Sequence, residues 1–261
     1  MFKKKSLGQH FLHAPTYLRA VVDAADVVSG ETVLEIGPGD GALTRELLSR
    51  GARVVAIEKD HRLIPILGVA FEKELTTGQL KLIEGDALDF DPGTSLPPIY
   101  KVVANIPYYI TGALMRKFLT DPAQPSTLVL LIQKEVAERT ARSKKESLLS
   151  LSVKVFGTPL YIRTVPRGAF VPPPEVDSAI LAIKNISRDH FTTKEHEELF
   201  FKLLHAGFAQ KRKLLRRNLE DVLGTQAGEI LVAAGLQPNT RAEDVPLRNW
   251  LALATTAMGK I

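Results

Sequence analysis

The segment "VVANIPYYI" sets Asn105, Pro107 and Tyr108 directly behind an apolar run that reads as a buried strand. An amide, a rigid proline and an aromatic ring in that order offer hydrogen-bond acceptors and a flat face, which is how a planar, nitrogen-rich ring is recognised. Turn chemistry alone also accounts for Asn-x-Pro, and tyrosines often border a core, so the segment needs company. Three other strand ends supply it. "LEIGPGDGALT" places Gly37, Gly39 and Gly41 between a strand and a helix, where backbone can approach a ligand closely and free helix N-terminal amides point at it. Glu58 closes the next strand, 21 residues after Gly37, where a carboxylate would accept hydrogen bonds from both hydroxyls of a ribose. Asp86, in "EGDAL" after the third strand, could accept from an exocyclic adenine amine. Each acid alone is as well explained as a helix N-cap. Acids and glycines at successive strand ends together point to an adenosine-containing cofactor, because open α/β sheets bind ligands at that edge.

The glycine spacing narrows the cofactor. A dinucleotide turn is normally GxGxxG and holds a pyrophosphate, whereas this loop is GxGxG and follows Glu35. An acid there would repel a pyrophosphate and could face the sulfonium and amino group of S-adenosylmethionine. The fourth strand of such a sheet lies beside the first, which sets Asn105 across the cleft from the glycine loop, near a transferable methyl. An adenine N6 is a poor nucleophile because its lone pair is delocalised into the ring. If the Asn105 side-chain oxygen and the backbone carbonyl of Ile106 or Pro107 accept the two N6 hydrogens, the nitrogen becomes more pyramidal and its lone pair can point at the methyl. No strong base is needed, since the alkylated ammonium is acidic enough to lose its proton to water. Tyr108 would stack on the base, and Tyr109 is assigned to packing.

These residues need a scaffold, and the pattern provides one. From Glu31 onward, the β-rich runs "TVLEIG", "ARVVAIE", "QLKLIEG", "YKVVANI" and "STLVLLIQ" alternate with amphipathic segments. Such alternation implies crossover units and a parallel sheet. "LYIRTVP" and "SAILAIKNI" are joined by the proline-rich "RGAFVPPPEVD", too short for a crossover helix, so they are expected to pair as an antiparallel hairpin at one edge. The fold class is therefore α/β, Rossmann-like and mostly parallel, in residues 1–186. Residues 187–261 read as a small all-α domain, with helices near 194–209, 211–222, 226–235 and 247–257 and an N-cap at Thr192 or Thr193.

Composition excludes several classes. The chain has 261 residues and no cysteine, which rules out disulfides and thiolate catalysis, and its six histidines never fall at a helical metal spacing with a carboxylate base, so no protein-bound metal is expected. No run of about 18 apolar residues suggests a membrane span, and the N-terminus lacks a signal-peptide pattern, so a cytoplasmic protein is expected. The net charge is +5 but uneven: residues 1–92 carry 11 basic against 14 acidic side chains, residues 93–186 carry 12 against 6, and residues 187–261 carry 11 against 9. Basicity in the later parts suggests a polyanionic partner, nucleic acid above all. "KRKLLRR" sharpens this, since the spacings of Lys211, Arg212, Lys213, Arg216 and Arg217 put several of these charges on one helical face, with Leu214, Leu215 and Leu219 expected to face inward. That suits phosphate contacts along an RNA duplex, with Lys3, Lys4, Lys5 and residues 139–145 extending the surface.

"NIPYYI" together with "LEIGPGDGALT", "AIEKD", "EGDAL" and the N-terminal "GQHFL" resembles the ribosomal RNA adenine N6,N6-dimethyltransferase family, from Gly8 to beyond Phe170. The resemblance implies S-adenosylmethionine binding by His10, Leu12, Gly37, Glu58, Asp86 and Asn105, and handling of the target base by Asn105, Pro107, Tyr108 and Phe170. Many members carry Asn where this chain has His10, which leaves either a side-chain contact or a backbone role there. The tail segments "FAQKRKLLRRNL" and "GLQPNTRAEDVPLRNWLALA" are similar to the branch that dimethylates two adjacent adenosines near the 3′ end of 16S rRNA in the immature small subunit, acting as a monomer. The branch that modifies 23S rRNA is the alternative. A non-catalytic RNA-binding factor on the same fold predicts degraded motifs, and here "NIPY" and GxGxG are intact. A nicotinamide-dependent dehydrogenase is disfavoured by the glycine spacing.

Overall fold

The computed structural model describes residues 10–260. Lys3, Lys4 and Lys5, and the first two residues of "GQHFL", lie outside them. The chain forms two compact units, one built from the chain up to Ala137 and Thr158–Ile186, the other from Glu138–Gly157 and Ser187 onward.

The first unit is built on a seven-stranded sheet. Strand β1 (Phe11–Leu12) precedes helix α1 (Pro15–Ala24), and the chain then alternates β2 (Thr32–Ile36), α2 (Ala42–Ser49), β3 (Arg53–Glu58), α3 (Leu63–Ala70), α4 (Glu72–Thr76), β4 (Leu80–Glu84), α5 (Pro92–Ser95), β5 (Lys101–Asn105), α6 (Thr111–Thr120) and β6 (Thr127–Gln133). The strand order is β4-β3-β2-β5-β6-β9-β7, where β7 is Thr158–Val165 and β9 is Ser178–Lys184. β2 to β6 are mutually parallel, and β9 runs antiparallel to both β6 and β7, as the short proline-rich connection requires. The first six residues of "TLVLLIQ" in β6 and of "SAILAIK" in β9 are all buried, the signature of central strands covered on both faces. β7 forms the edge, and a bulge at Ile162 interrupts its pairing, which blunts an otherwise exposed ladder. Outside the sheet, β1 pairs antiparallel with β8 (Phe170–Val171), bringing residues separated by most of the domain together at the strands' carboxyl ends. Residues 60–75 are not one helix. Phe71, 1% exposed, separates α3 from α4 and fills the space above Gly41, where a side chain would meet its ring at 2.5 Å.

The second unit contains the end of α7 (Lys134–Ala141), α8 (Leu148–Lys154), α9 (Lys194–Phe208), α10 (Leu215–Leu223), α11 (Ala227–Ala233) and α12 (Leu247–Met258). The single cut expected at residue 186 is corrected here: residues 138–157 fold with the helices. Ser147 and Ser150 form a reciprocal cap that starts α8, and Phe156 just beyond it meets Phe191 edge-on and stacks with Phe201, each at 5.8 Å between centroids. Aromatic contacts distant in sequence, invisible to a local pattern, decide this allegiance. Thr193 is the N-cap of α9, accepting from the His196 amide at 3.2 Å.

The basic run also departs from expectation. α10 begins at Leu215, so Lys211, Arg212 and Lys213 lie in the turn before it and Leu214, 37% exposed, does not face inward. The turn is held by a buried amide: Asn218 Nδ2 donates to the carbonyls of Gly207 at 2.6 Å and Gln210 at 3.1 Å, answering acceptors that α9 leaves open at its end. Close approach at Gly207 makes this possible, because Trp250 of α12 is fully buried against it. A Cβ at Gly207 would lie 2.4 Å from the indole and 2.9 Å from Leu215. Gly207→Ala is therefore expected to destabilise the protein by about 1–3 kcal/mol through overpacking, which a denaturant titration measures; an unchanged midpoint would show that the indole can shift freely.

Candidate active site

The carboxyl ends of β2, β3, β4 and β5 open into one cleft. Gly37, Gly39 and Gly41 all adopt positive φ, at 68°, 62° and 81°, a run that residues with side chains rarely tolerate. Gly39 also passes under Phe11, whose ring would stand 2.8 Å from any Cβ there. Gly41 is the N-cap of α2, beneath Phe71, and does not line the cleft.

Each acid is positioned by backbone. Glu58 is 5% exposed; its Oε2 accepts from the Gly39 amide at 3.1 Å and its Oε1 from the Asp60 amide at 2.8 Å. Burial raises its pKa, and these donors oppose the rise. Asp86 accepts from the Leu88 amide at 2.9 Å and pairs with Lys59 Nζ at 2.6 Å, and these two contacts hold it below the usual carboxylate range. Both acids keep lone pairs free for a ligand. Lys59 lines the cleft beside them and was missed at the sequence level, although it follows Glu58 directly in "AIEKD".

Opposite the glycine loop, Asn105 Nδ2 donates to the backbone carbonyl of His10 at 3.2 Å, which leaves its Oδ1 as the available acceptor. Tyr108 is tied through its hydroxyl to the buried Ser178 Oγ at 2.7 Å. Ser178 carries no local signal and is found only through the antiparallel placement of β9. His10 arrives just before β1 and Leu12 on it, with Leu12 paired to Phe170 on β8. Phe170 both lines the cleft and belongs to the core, at 3% exposed. Pro107 lines it as well, whereas Tyr109, assigned to packing, is 71% exposed at the rim. It is the middle residue of a short helical turn, Tyr108–Ile110, which projects it outward. Among the described residues, no group of three or more His, Asp or Glu is placed to hold a metal, and no helix is long and apolar enough to cross a membrane.

Glu35 differs from expectation. It is fully buried and absent from the cleft lining, because alternation along β2 sends it with Val33 toward the α2 layer while Ile36 lines the cleft. Both its oxygens lack a hydrogen-bond partner, and burial lifts its pKa to about 8, with Glu58 and Asp40 adding to the rise and Thr44 opposing it. A carboxyl that is neutral at pH 7 neither repels a pyrophosphate nor attracts a sulfonium, so this residue does not select the cofactor by charge. Its titration leaves a mark on stability. The unfolded side chain ionises near 4.5 and the folded one near 8, so between those values the folded protein binds the extra proton and stability falls as pH rises. Glu35→Gln removes the effect: its stability relative to the parent should be constant below pH 4.5 and rise by up to about 1.4 kcal/mol per pH unit toward pH 8. Urea titrations at several pH values measure this, and parallel profiles would contradict it.

The sheet order, the antiparallel β9–β7 pair and a cleft ringed by glycines and two strand-end acids define the class I methyltransferase fold. Over residues 1–258 the chain matches the family model described as "Ribosomal RNA adenine dimethylase", and it belongs to that family. It is 42% identical over 264 residues to the "Ribosomal RNA small subunit methyltransferase A" of Dehalococcoides mccartyi strain CBDB1, covering 98% of this chain and 89% of that protein. The protein of that name from Deinococcus radiodurans is also 42% identical over 264 residues, at 98% and 86% coverage. Among solved structures, the 23S rRNA methyltransferase ErmE superposes with a TM-score of 0.75 at 25% identity, covering 95% of this chain and 99% of that one. A dimethyladenosine transferase from Plasmodium falciparum does so with 0.75 at 27% identity, covering 94% and 96%.

Proposed function

We propose that this chain transfers methyl groups from S-adenosylmethionine to N6 of two adjacent adenosines near the 3′ end of 16S rRNA, two per base, in the immature small ribosomal subunit. The observation that carries the reading is the meeting of Glu58, Asp86 and the Asn105–Tyr108 segment in one cleft at the ends of parallel strands. The donor set fits the methyl donor: Glu58 offers carboxylate oxygens to the ribose hydroxyls, Asp86 offers one to the adenine amine, and Gly37 and Gly39 leave room for the methionine portion. His10 and Leu12 complete that wall, His10 through its backbone. Bound there, S-adenosylmethionine supplies an electrophilic methyl on a sulfonium.

The chain's own residues do the rest. Asn105 Oδ1 and the carbonyl of Ile106 or Pro107 accept the N6 hydrogens of the target base and turn its lone pair outward. Tyr108 stacks on the base, with Phe170 bordering it, and the proton released after each transfer goes to water. No metal enters this chemistry. The helical unit docks the RNA through Lys211, Arg212, Lys213, Arg216 and Arg217, all exposed. Such a substrate places the enzyme in the cytoplasm, acting as a monomer. Because the 23S enzyme ErmE shares the architecture, the fold does not discriminate between the two rRNAs; the likeness of the tail to the small-subunit branch favours 16S.

Labelled donor incubated with unmodified small subunits should mark two adjacent adenosines on nuclease mapping; label entering 23S rRNA instead would overturn the reading. Asn105→Ala should slow single-turnover transfer by roughly 10²-fold or more while leaving RNA affinity nearly unchanged, and a parental rate constant would refute the role. The triple change Lys211→Ala, Arg212→Ala, Arg216→Ala tests docking. If all three touch phosphates, the slope of log affinity against log salt should become shallower by about 2 units. An unaltered slope in a variant with a normal melting curve would move the docking surface elsewhere.

A further inference from the structure

We propose that the imidazole of His10 forms the second face of the target-adenine slot, opposite Tyr108. The inference rests on the reading of Tyr108 as the base-stacking ring and extends it to a residue that otherwise touches only the donor wall. Both rings line the cleft. They lie near-parallel, at 23° between planes, with centroids 6.3 Å apart. That separation lies at the long end of the roughly 4.5–7 Å range of offset aromatic pairs. It falls just short of the roughly 6.8 Å that two layers need with a base between them, taking about 3.4 Å per stacked base.

Each ring is tethered at an edge, leaving its faces free. Tyr108 is held through its hydroxyl by Ser178, and His10 Nδ1 is bonded to the Pro172 carbonyl at 2.9 Å. Asn105 is engaged by the backbone carbonyl of His10 and not by its ring. His10 immediately precedes β1, a two-residue strand paired only with β8 and not with the main sheet, so a widening of half an ångström displaces little structure. The amide that orients N6 and the ring that covers the base are thereby joined through one residue: closing His10 over the adenine and presenting the Asn105 oxygen to N6 become a single geometric event. An asparagine at position 10 could keep the tether and lacks the face.

Three variants separate the possible roles. His10→Phe keeps a ring without the tether, His10→Asn keeps a polar tether without a ring, and His10→Ala has neither. Methyl transfer to immature small subunits, donor affinity by calorimetry, and fluorescence of 2-aminopurine placed at the target adenosine are measured for each. The slot predicts that Ala and Asn lose about 5- to 150-fold in kcat/KM, the range for one base–aromatic stack, and quench 2-aminopurine less, while Phe retains most of both and donor affinity is unchanged throughout. An Ala variant as fast as the parent or faster would make His10 a plug, not a wall. Rescue by Asn with failure of Phe would assign the function to the tether, and a parallel loss of donor affinity would return the ring to the donor site; either overturns the proposal. Tyr108→Ala is the control. If it transfers methyl groups at the parental rate, the slot itself is wrong and both assignments fall together; if it is slow while His10→Ala is normal, only the His10 wall is lost.

Discussion

The parallel pairing of β2 with β5 is the constraint on which the cleft depends. Ile36 stands level with Ala104, so the next residues of the two strands, Gly37 and Asn105, emerge side by side. A Cβ on Gly37 would sit 3.7 Å from the Asn105 carbonyl. From β2 the chain crosses over to one side of the sheet, and from β5 to the other, so the two connections diverge and leave the strands' carboxyl ends uncovered. The register is fixed by burial. Strand side chains alternate with a period of two, so a slip of one residue would drive the buried faces of both strands into each other's places. Val33, Leu34, Val102 and Val103 are all fully buried, which makes that slip costly in apolar contact on both sides of the sheet.

Three carboxyl groups within this small region reach different states because each meets a different surrounding. Glu35 has no solvent and no well-formed hydrogen bond, with Thr44 alone opposing the rise, and stays protonated at neutral pH. Glu58 is almost as buried but receives two backbone amides, so the cost of desolvation is partly offset. Asp86 is the most accessible of the three and has a lysine against it. Charge is thereby placed at the strand ends that line the cleft and withheld from the strand interior two residues before the glycine loop. A third charge there would have no partner, and repulsion from Glu58 and Asp40 would add to the cost of burying it.

Much of this architecture was legible in the sequence, and the failures have physical causes. The parallel strands show as short β-rich runs because β2, β3, β5 and β6 are buried along most of their length, with the edge strand β4 only partly covered, and the acids at the strand ends stand out against glycine-rich turns. Glu35 lies close to the glycine loop in sequence, but alternation along β2 turns its side chain toward α2 and away from the cleft. Lys211, Arg212 and Lys213 read as helix because basic and leucine residues are good helix formers. The turn there is imposed from outside, by Asn218 reaching back to α9 and by Trp250 pressed on Gly207. Residues 138–157 join the helical unit through Phe156 and its aromatic neighbours, contacts for which the local sequence has no marker. The β1–β8 pair was equally hidden, since two-residue strands carry no periodicity.

The polar tethers around the cleft fix the two near-parallel rings that line it. Here Ser178 fixes the far edge of Tyr108, and the Pro172 carbonyl fixes an edge of His10. Each bond is modest, about 1 kcal/mol net, but together they remove rotamer freedom before any ligand arrives. Association ordinarily costs about 0.5–1.5 kcal/mol for each side chain it immobilises. Rings already held by hydrogen bonds impose less of that cost on the incoming base. The same logic covers Asn105, whose Nδ2 contact to His10 selects which end of the amide is presented. Orientation in this cleft is thus settled during folding, by donors and acceptors drawn from β1, β9 and the segment after β8, elements far apart in the chain that the sheet topology brings to one edge.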